Sequence, residues 1–157
     1  MKTCSILLLF GLLVSGSCFA VDVAQCSNPS GKSYFPYMGM MQLKDSGWSN
    51  DKITDGITTL TKTDNNEYDI RFVDSRKQII SSKEDGGKVI MLSRGEHDVS
   101  FMVIYTGMSA EIYTFVIDKS GKAEYTVATS KSGNGVMIAK TSIMRGDCQF
   151  VNLDLIK

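Results

Sequence analysis

Apolar and polar residues alternate along most of this chain with a period of two, the signature of strands that bury one face. From residue 67 to 73 the pattern sets Tyr68, Ile70 and Phe72 against Glu67, Asp69 and Arg71. Residues 99–105 and 110–117 are apolar on nearly both faces, which predicts two central strands. Residues 149–155 group Val151, Leu153 and Leu155 against Asn152 and Asp154, which predicts a final strand tied down by Cys148. Fainter strand patterns cover residues 57–62, 78–82, 88–93, 124–130 and 136–139.

Turn chemistry separates these runs. Glu84-Asp85-Gly86-Gly87 and Asp118-Lys119-Ser120-Gly121 place glycine where a hairpin needs a positive φ, and Thr106-Gly107-Met108-Ser109 divides the two most apolar runs. No helical stripe is present from Ile53 onward; a short helical turn over residues 49–53, capped by Ser49, is the one helix candidate. Residues 26–48, with Pro29, Pro36 and several glycines, predict an irregular N-terminal arm laid over the sheet. The fold class is therefore all-β: a single-domain antiparallel meander of about eight strands, closed as a barrel or folded as a sandwich.

The first twenty residues depart from this pattern. Lys2 precedes an apolar run over residues 6–14, and Cys18-Phe19-Ala20 offers small side chains at a cleavage site, so residues 1–20 predict a signal peptide and residues 21–157 a single β domain. The run is too short for stable membrane insertion, which needs about 20 apolar residues. A lipid anchor on Cys18 is the competing reading of Ser15-Gly16-Ser17-Cys18, although such a box wants leucine at the place of Ser15. Cleavage after Ala20 predicts a periplasmic or secreted protein.

Processing removes Cys4 and Cys18 and leaves Cys26 and Cys148, an even count that predicts one disulfide in an oxidising compartment. No CxxC or second pair exists for exchange, so the bond is read as structural. The 137 remaining residues carry 16 basic and 17 acidic side chains, a formal charge of −1. That balance argues against nucleic acid or an anionic membrane as partner.

Motifs for catalysis and cofactors fail on spacing. Gly31-Lys32-Ser33 lacks the upstream glycine, strand and helix of a phosphate-binding loop, and Asp64-Asn65-Asn66-Glu67 lacks the spacing of a calcium loop. The glycine-rich residues 130–135 read as a mobile turn rather than an anion nest. His97 is the lone histidine, set between Glu96 and Asp98; a hydrolase would have to pair it with an unidentified serine. No catalytic residue, metal site or cofactor is assigned.

The most unusual composition is Tyr34-Phe35-Pro36-Tyr37-Met38-Gly39-Met40-Met41, followed by Trp48. Aromatics beside adaptable methionines suit a partner-binding patch, with Tyr34, Tyr37, Met38, Met40 and Trp48 as its residues. The alternatives are a plug for one end of the β core, or thioether ligation of Cu(I) by Met38, Met40 and Met41.

Cys26-Ser27-Asn28-Pro29-Ser30-Gly31-Lys32, with Pro36-Tyr37, Gly47-Trp48, Glu67-Tyr68-Asp69-Ile70 and Asp85-Gly86-Gly87, resembles a group of small exported proteobacterial all-β proteins bearing a CSNPSGK-type N-terminal arm. The resemblance spans most of the mature chain and implies export without implying an activity. Exported all-β inhibitors of lysozyme are similar in size, compartment and single-disulfide build, a likeness of class alone. The functional expectation is a non-enzymatic module that binds an envelope or extracellular protein, as inhibitor, immunity factor or accessory. The alternatives are a carrier of small apolar ligands in a β-barrel and a hydrolase using His97; oligomeric state is left open.

Overall fold

A computed structural model describes residues 20–63, 65–73 and 77–157. The export-signal reading, the alternative at Cys18 and Asp64 of the oxygen-rich turn fall on residues outside these. Ten antiparallel strands form one sheet that curls into a half-barrel. They are β1 (Val21–Phe35), β2 (Gly47–Lys52), β3 (Ile57–Lys62), β4 (Tyr68–Val73), β5 (Ile79–Ser81), β6 (Lys88–Arg94), β7 (Asp98–Tyr105), β8 (Ser109–Ile117), β9 (Ala123–Lys131) and β10 (Lys140–Val151). The order across the sheet is β5-β4-β3-β1-β10-β9-β8-β7-β6, with β2 paired to β1. Two runs of hairpins, β3 to β5 and β6 to β10, thus meet on either side of β1.

The all-β expectation holds, and the strands predicted at 57–62, 67–73, 99–105 and 110–117 fall within a residue of β3, β4, β7 and β8. The irregular arm holds only in part: residues 36–46 form a loop with one 3-10 turn, whereas residues 26–35 belong to β1, the central strand, which pairs along one side with β10 and along the other first with β3 and then with β2. The hand-over occurs at Pro29, where a missing N–H is harmless because the β10 register also shifts between Ser27 and Ser30. Asn28 there has φ 51°, donates its N–H to Gly56 O at 2.9 Å and accepts from Asp55 N–H at 3.0 Å. A Cβ on Gly31 would lie 2.0 Å from Ile143 O, so glycine alone lets β1 and β10 approach this closely.

Three smaller expectations are corrected. Residues 49–53 form no helical turn; residues 47–52 are the edge strand β2, its backbone satisfied by the second half of β1. Residues 136–139 form no strand, because a turn bonding Val136 N–H to Gly133 O at 3.1 Å delays β10 to Lys140. The final strand ends at Val151, and Leu153–Leu155 is a 3-10 turn whose Asn152 side chain accepts from Asp154 N–H at 3.2 Å.

The inner face carries the core. Leu60, Ile70, Val99, Phe101, Val103 and Phe115 are each fully buried, and each such side chain contributes about 1.5–3 kcal/mol. The curl is fixed where Tyr68 of β4 meets Phe101 of β7, with five strands between them in the sheet, at a ring separation of 5.0 Å. Leu153 and Ile156 close that end, helped by Lys62 Nζ donating to Leu155 O at 2.9 Å. Cys26 and Cys148 are direct partners across β1 and β10 and are joined by a disulfide spanning 122 residues of sequence.

Candidate functional site

Two features stand out, and both lie toward the end of the sheet where β9 turns into β10. The first is a set of exposed apolar side chains on three neighbouring loops. The β1–β2 loop carries Tyr37, Met38, Met40 and Leu43, the β9–β10 loop carries Met137 and Ile138, and the β7–β8 turn carries Met108, all exposed to solvent. The loops are held side by side through backbone. Ser132 N–H donates to Met108 O at 2.9 Å, a Cβ on Gly133 would fall 2.2 Å from Gly107 O, and one on Gly39 would lie 3.7 Å from Met137 O. Gly133 also has φ 122°, a conformation only glycine adopts freely.

This surface continues onto the outer face of the sheet. Trp48 of β2 stands opposite Tyr34 of β1, with ring centroids 5.4 Å apart and Trp48 66% exposed. Ile143 lies diagonal to Tyr34 across β1 and β10. From Ile143 the register runs through Ala128, Ile112 and Met102 to Ile90, one apolar residue on each of five successive strands. Ile143 is 62% exposed, so the belt has no cover within the described part of the chain. Soluble proteins rarely leave a contiguous apolar surface of this kind without a use for it.

The second feature is a half-open pocket of about 240 Å³ on the inner face, lying across the curl between β3–β4 and β8–β10. Ile57, Phe72, Val127 and Met144 give it apolar walls. Most of its polar groups come from inward positions of three adjacent strands: Glu111 and Tyr113 on β8, Thr129 and Lys131 on β9, Lys140 and Ser142 on β10. Tyr113 donates its hydroxyl to Glu111 Oε2 at 2.6 Å. Burial pushes the Glu111 carboxyl above the usual range, against the opposing pull of that hydrogen bond and of Lys131 and Lys140. Burial and the Glu111 charge together push the Tyr113 hydroxyl well above the tyrosine range, so it remains a donor. Tyr125 and Thr58 hydroxyls share a hydrogen bond of 3.2 Å on the pocket floor.

At the rim, Lys140 Nζ lies 3.3 Å from Asp51 Oδ2, which also accepts the Ser33 hydroxyl at 2.7 Å. Burial raises the Asp51 carboxyl, but the Ser33 hydrogen bond and the Lys140 charge outweigh it and hold the group below its usual range. β2 is thereby fastened to the start of β10.

Of the residues singled out by composition, Tyr34, Tyr37, Met38, Met40 and Trp48 are brought together at one exposed end rather than buried as a plug for the core. Cys26 and Cys148 are bonded. His97 stands in the exposed β6–β7 turn with Glu96 Oε1 3.9 Å away, and its backbone carbonyl accepts from Ile117 N–H at 2.8 Å. Gly31, Lys32 and Ser33 lie mid-strand in β1. Among the described residues no group of three or more His, Cys, Asp or Glu side chains is placed to hold a metal ion, and no helix is long and apolar enough to cross a membrane.

Sequence reasoning missed Leu43, Met108 and Met137, whose role depends on loop contacts, and the whole pocket. Glu111 did carry a signal: it has the same strand parity as Tyr113, Phe115 and Ile117, which marks an acid facing inward on a central strand. Fold and sites define a single-disulfide antiparallel half-barrel with an exposed apolar end and a lysine-rimmed pocket. Compared with protein-family models, with curated proteins and with solved structures, the chain matches none.

Proposed function

We propose that this protein is an exported, non-enzymatic module that binds an envelope or extracellular protein through the exposed end built from Tyr34, Tyr37, Met38, Met40 and Trp48. The observation that carries this reading is the exposure of that aromatic and methionine set, joined by Leu43, Met108 and Met137 from neighbouring loops. Flexible thioethers adapt to a partner surface, while tyrosine and tryptophan supply large contact area at little entropic cost. The formal charge of −1 on the mature chain favours a partner recognised by apolar contact rather than by strong field. Export is supported by the Lys2-led apolar leader and by the Cys26–Cys148 bond, which persists in oxidising compartments.

The test is a pull-down from periplasmic extract with wild type and a Tyr37→Ala/Trp48→Ala variant. A protein retained by wild type and lost by the variant supports the reading; equal retention by both, or none by either, overturns it. A second reading, a carrier of small apolar ligands, is supported by the 240 Å³ pocket, which opens on the inner face while the belt occupies the outer one.

A further inference from the structure

Charge around the pocket is arranged unevenly. Lys131 and Lys140 are direct cross-strand partners on β9 and β10, and both line the cavity. Lys140 is neutralised by Asp51 at 3.3 Å. The Lys131 side chain has no hydrogen bond or ion pair among the described residues; its charge is felt through space by Glu111. Among the described residues Glu111 is the sole acid lining the cavity, and one of its oxygens already accepts the Tyr113 hydroxyl. Beneath Lys131 the walls turn apolar at Val127, Phe72 and Met144. An unpaired ammonium at the mouth of an apolar cavity is the arrangement that receives one anionic head and an uncharged body.

We propose that this pocket binds a small monocarboxylate with an apolar body, its carboxylate paired to the Lys131 ammonium and its body lying among Ile57, Phe72, Val127 and Met144. The inference rests on the carrier reading and is independent of the docking surface. The unpaired Lys131 ammonium disfavours an organic cation, and Glu111 on the wall disfavours a second negative charge, so these groups favour a monoanion. Size agrees. A cavity of about 150 Å³ accepts a benzene ring, and 240 Å³ has room for a ring or a medium alkyl chain together with its carboxylate.

The experiment is a titration of the uniformly ¹⁵N-labelled protein with octanoate, with octan-1-ol as the neutral isostere and with octylammonium as the cationic one. Octanoate is expected to shift amides of Val127, Thr129 and Met144 and to bind about tenfold tighter than octanol, the worth of one charge-assisted contact. Lys131→Ala should bring octanoate down to the octanol level, Lys131→Arg should restore most of the difference, and octanol binding should be the same in all three proteins. A thermal melt of each variant shows whether the exposed substitution leaves folding intact, and Lys131→Gln, which keeps the stem and removes the charge, tests the claim if Lys131→Ala does not fold. Equal affinity for octanoate and octanol overturns the carboxylate assignment while leaving a carrier. Preference for octylammonium overturns it by sign. Shifts confined to the outer belt, or no shifts with any of the three, overturn the carrier reading along with it.

Discussion

Tyr113 donates its hydroxyl to Glu111 Oε2 at 2.6 Å from two residues further along the same strand, so both inward positions of β8 nearest the pocket are polar and bonded to each other. The partnership satisfies the tyrosine but leaves a carboxyl half-buried, and burial is the largest influence on it.

The sign of the resulting pH dependence follows from linkage. The Glu111 pKa in the folded chain lies above its ordinary value of 4.5. Its contribution to stability is therefore fully present below the unfolded pKa and is lost as pH rises through the raised folded value. Glu111→Gln keeps an acceptor for Tyr113 and removes the titration. The melting temperature of the variant relative to wild type should increase between about pH 4 and about pH 8. A difference that stays constant over that range would mean that Glu111 is not held in a disfavoured ionised state.

Other carboxyls act in the opposite direction. Asp51, bonded to Ser33 and paired with Lys140, has a lowered pKa, so its contribution is present above the unfolded value and lost as pH falls through the folded one. Comparing wild type with Glu111→Gln isolates one group from these.

The disulfide joins strands that are direct neighbours in the sheet but 122 residues apart in sequence. Closing so long a loop restricts the unfolded chain, worth at most about 5 kcal/mol in the entropic picture. Non-reducing peptide mapping should yield one linked pair, Cys26 with Cys148. A Cys26→Ala/Cys148→Ala variant should lose about 2–5 kcal/mol in denaturant melts. Two free thiols in native material would remove one of the two supports of the exported reading, leaving the apolar leader alone.

Gly133 fixes how the β9–β10 loop meets the β7–β8 turn. A Cβ there would fall 2.2 Å from Gly107 O at a φ of 122°, whereas one on Gly135 would meet Met108 Cγ at 4.0 Å with no backbone penalty. Gly133→Ala should cost about 1–3 kcal/mol and displace amide resonances of Gly107, Met108 and Met137, while Gly135→Ala should be close to neutral. If both alanines are tolerated alike, the three loops are not locked together and the exposed end is not a preformed surface.

How far the fold was legible depends on what each strand buries. β4, β7 and β8 show clear patterns because their inward positions are large and apolar, as with Ile70, Phe101 and Phe115, while β3 is fainter because it buries Thr58 beside Leu60. β1 hides because its buried Ser33 faces buried Ser142, and its hydroxyl is satisfied by Asp51 on a strand also misread, as a helical turn. Polar residues buried in mutual hydrogen bonds look like loop in a single sequence. Proline and glycine, usual signs of a break, here mark a hand-over between partner strands and a close approach to β10. The exposed end was half legible: Tyr34 to Met40 and Trp48 are conspicuous in composition, whereas Met108 and Met137 join them only through folding.

The exposed end and the lone histidine give opposite expectations on mutation. His97 sits on a surface turn beside Glu96, and its backbone carbonyl rather than its ring ties into β8. His97→Ala should leave both melting temperature and partner affinity close to wild type. Trp48 packs at a tilt against Tyr34, ring centroids 5.4 Å apart, while both remain exposed. Removing it costs the ring pair about 0.5–1.5 kcal/mol of folding stability, a small loss that still leaves a folded protein. Tyr37, also exposed, contributes little to folding. Tyr37→Ala/Trp48→Ala should therefore lower partner affinity about thirtyfold, the scale of losing about 2 kcal/mol at a hot spot, with only a modest drop in melting temperature. Affinity and melting measured side by side for each variant separate the outcomes. If the aromatic double variant unfolds, those rings hold the fold together; if it binds as wild type while His97→Ala does not, recognition lies at the β6–β7 turn instead.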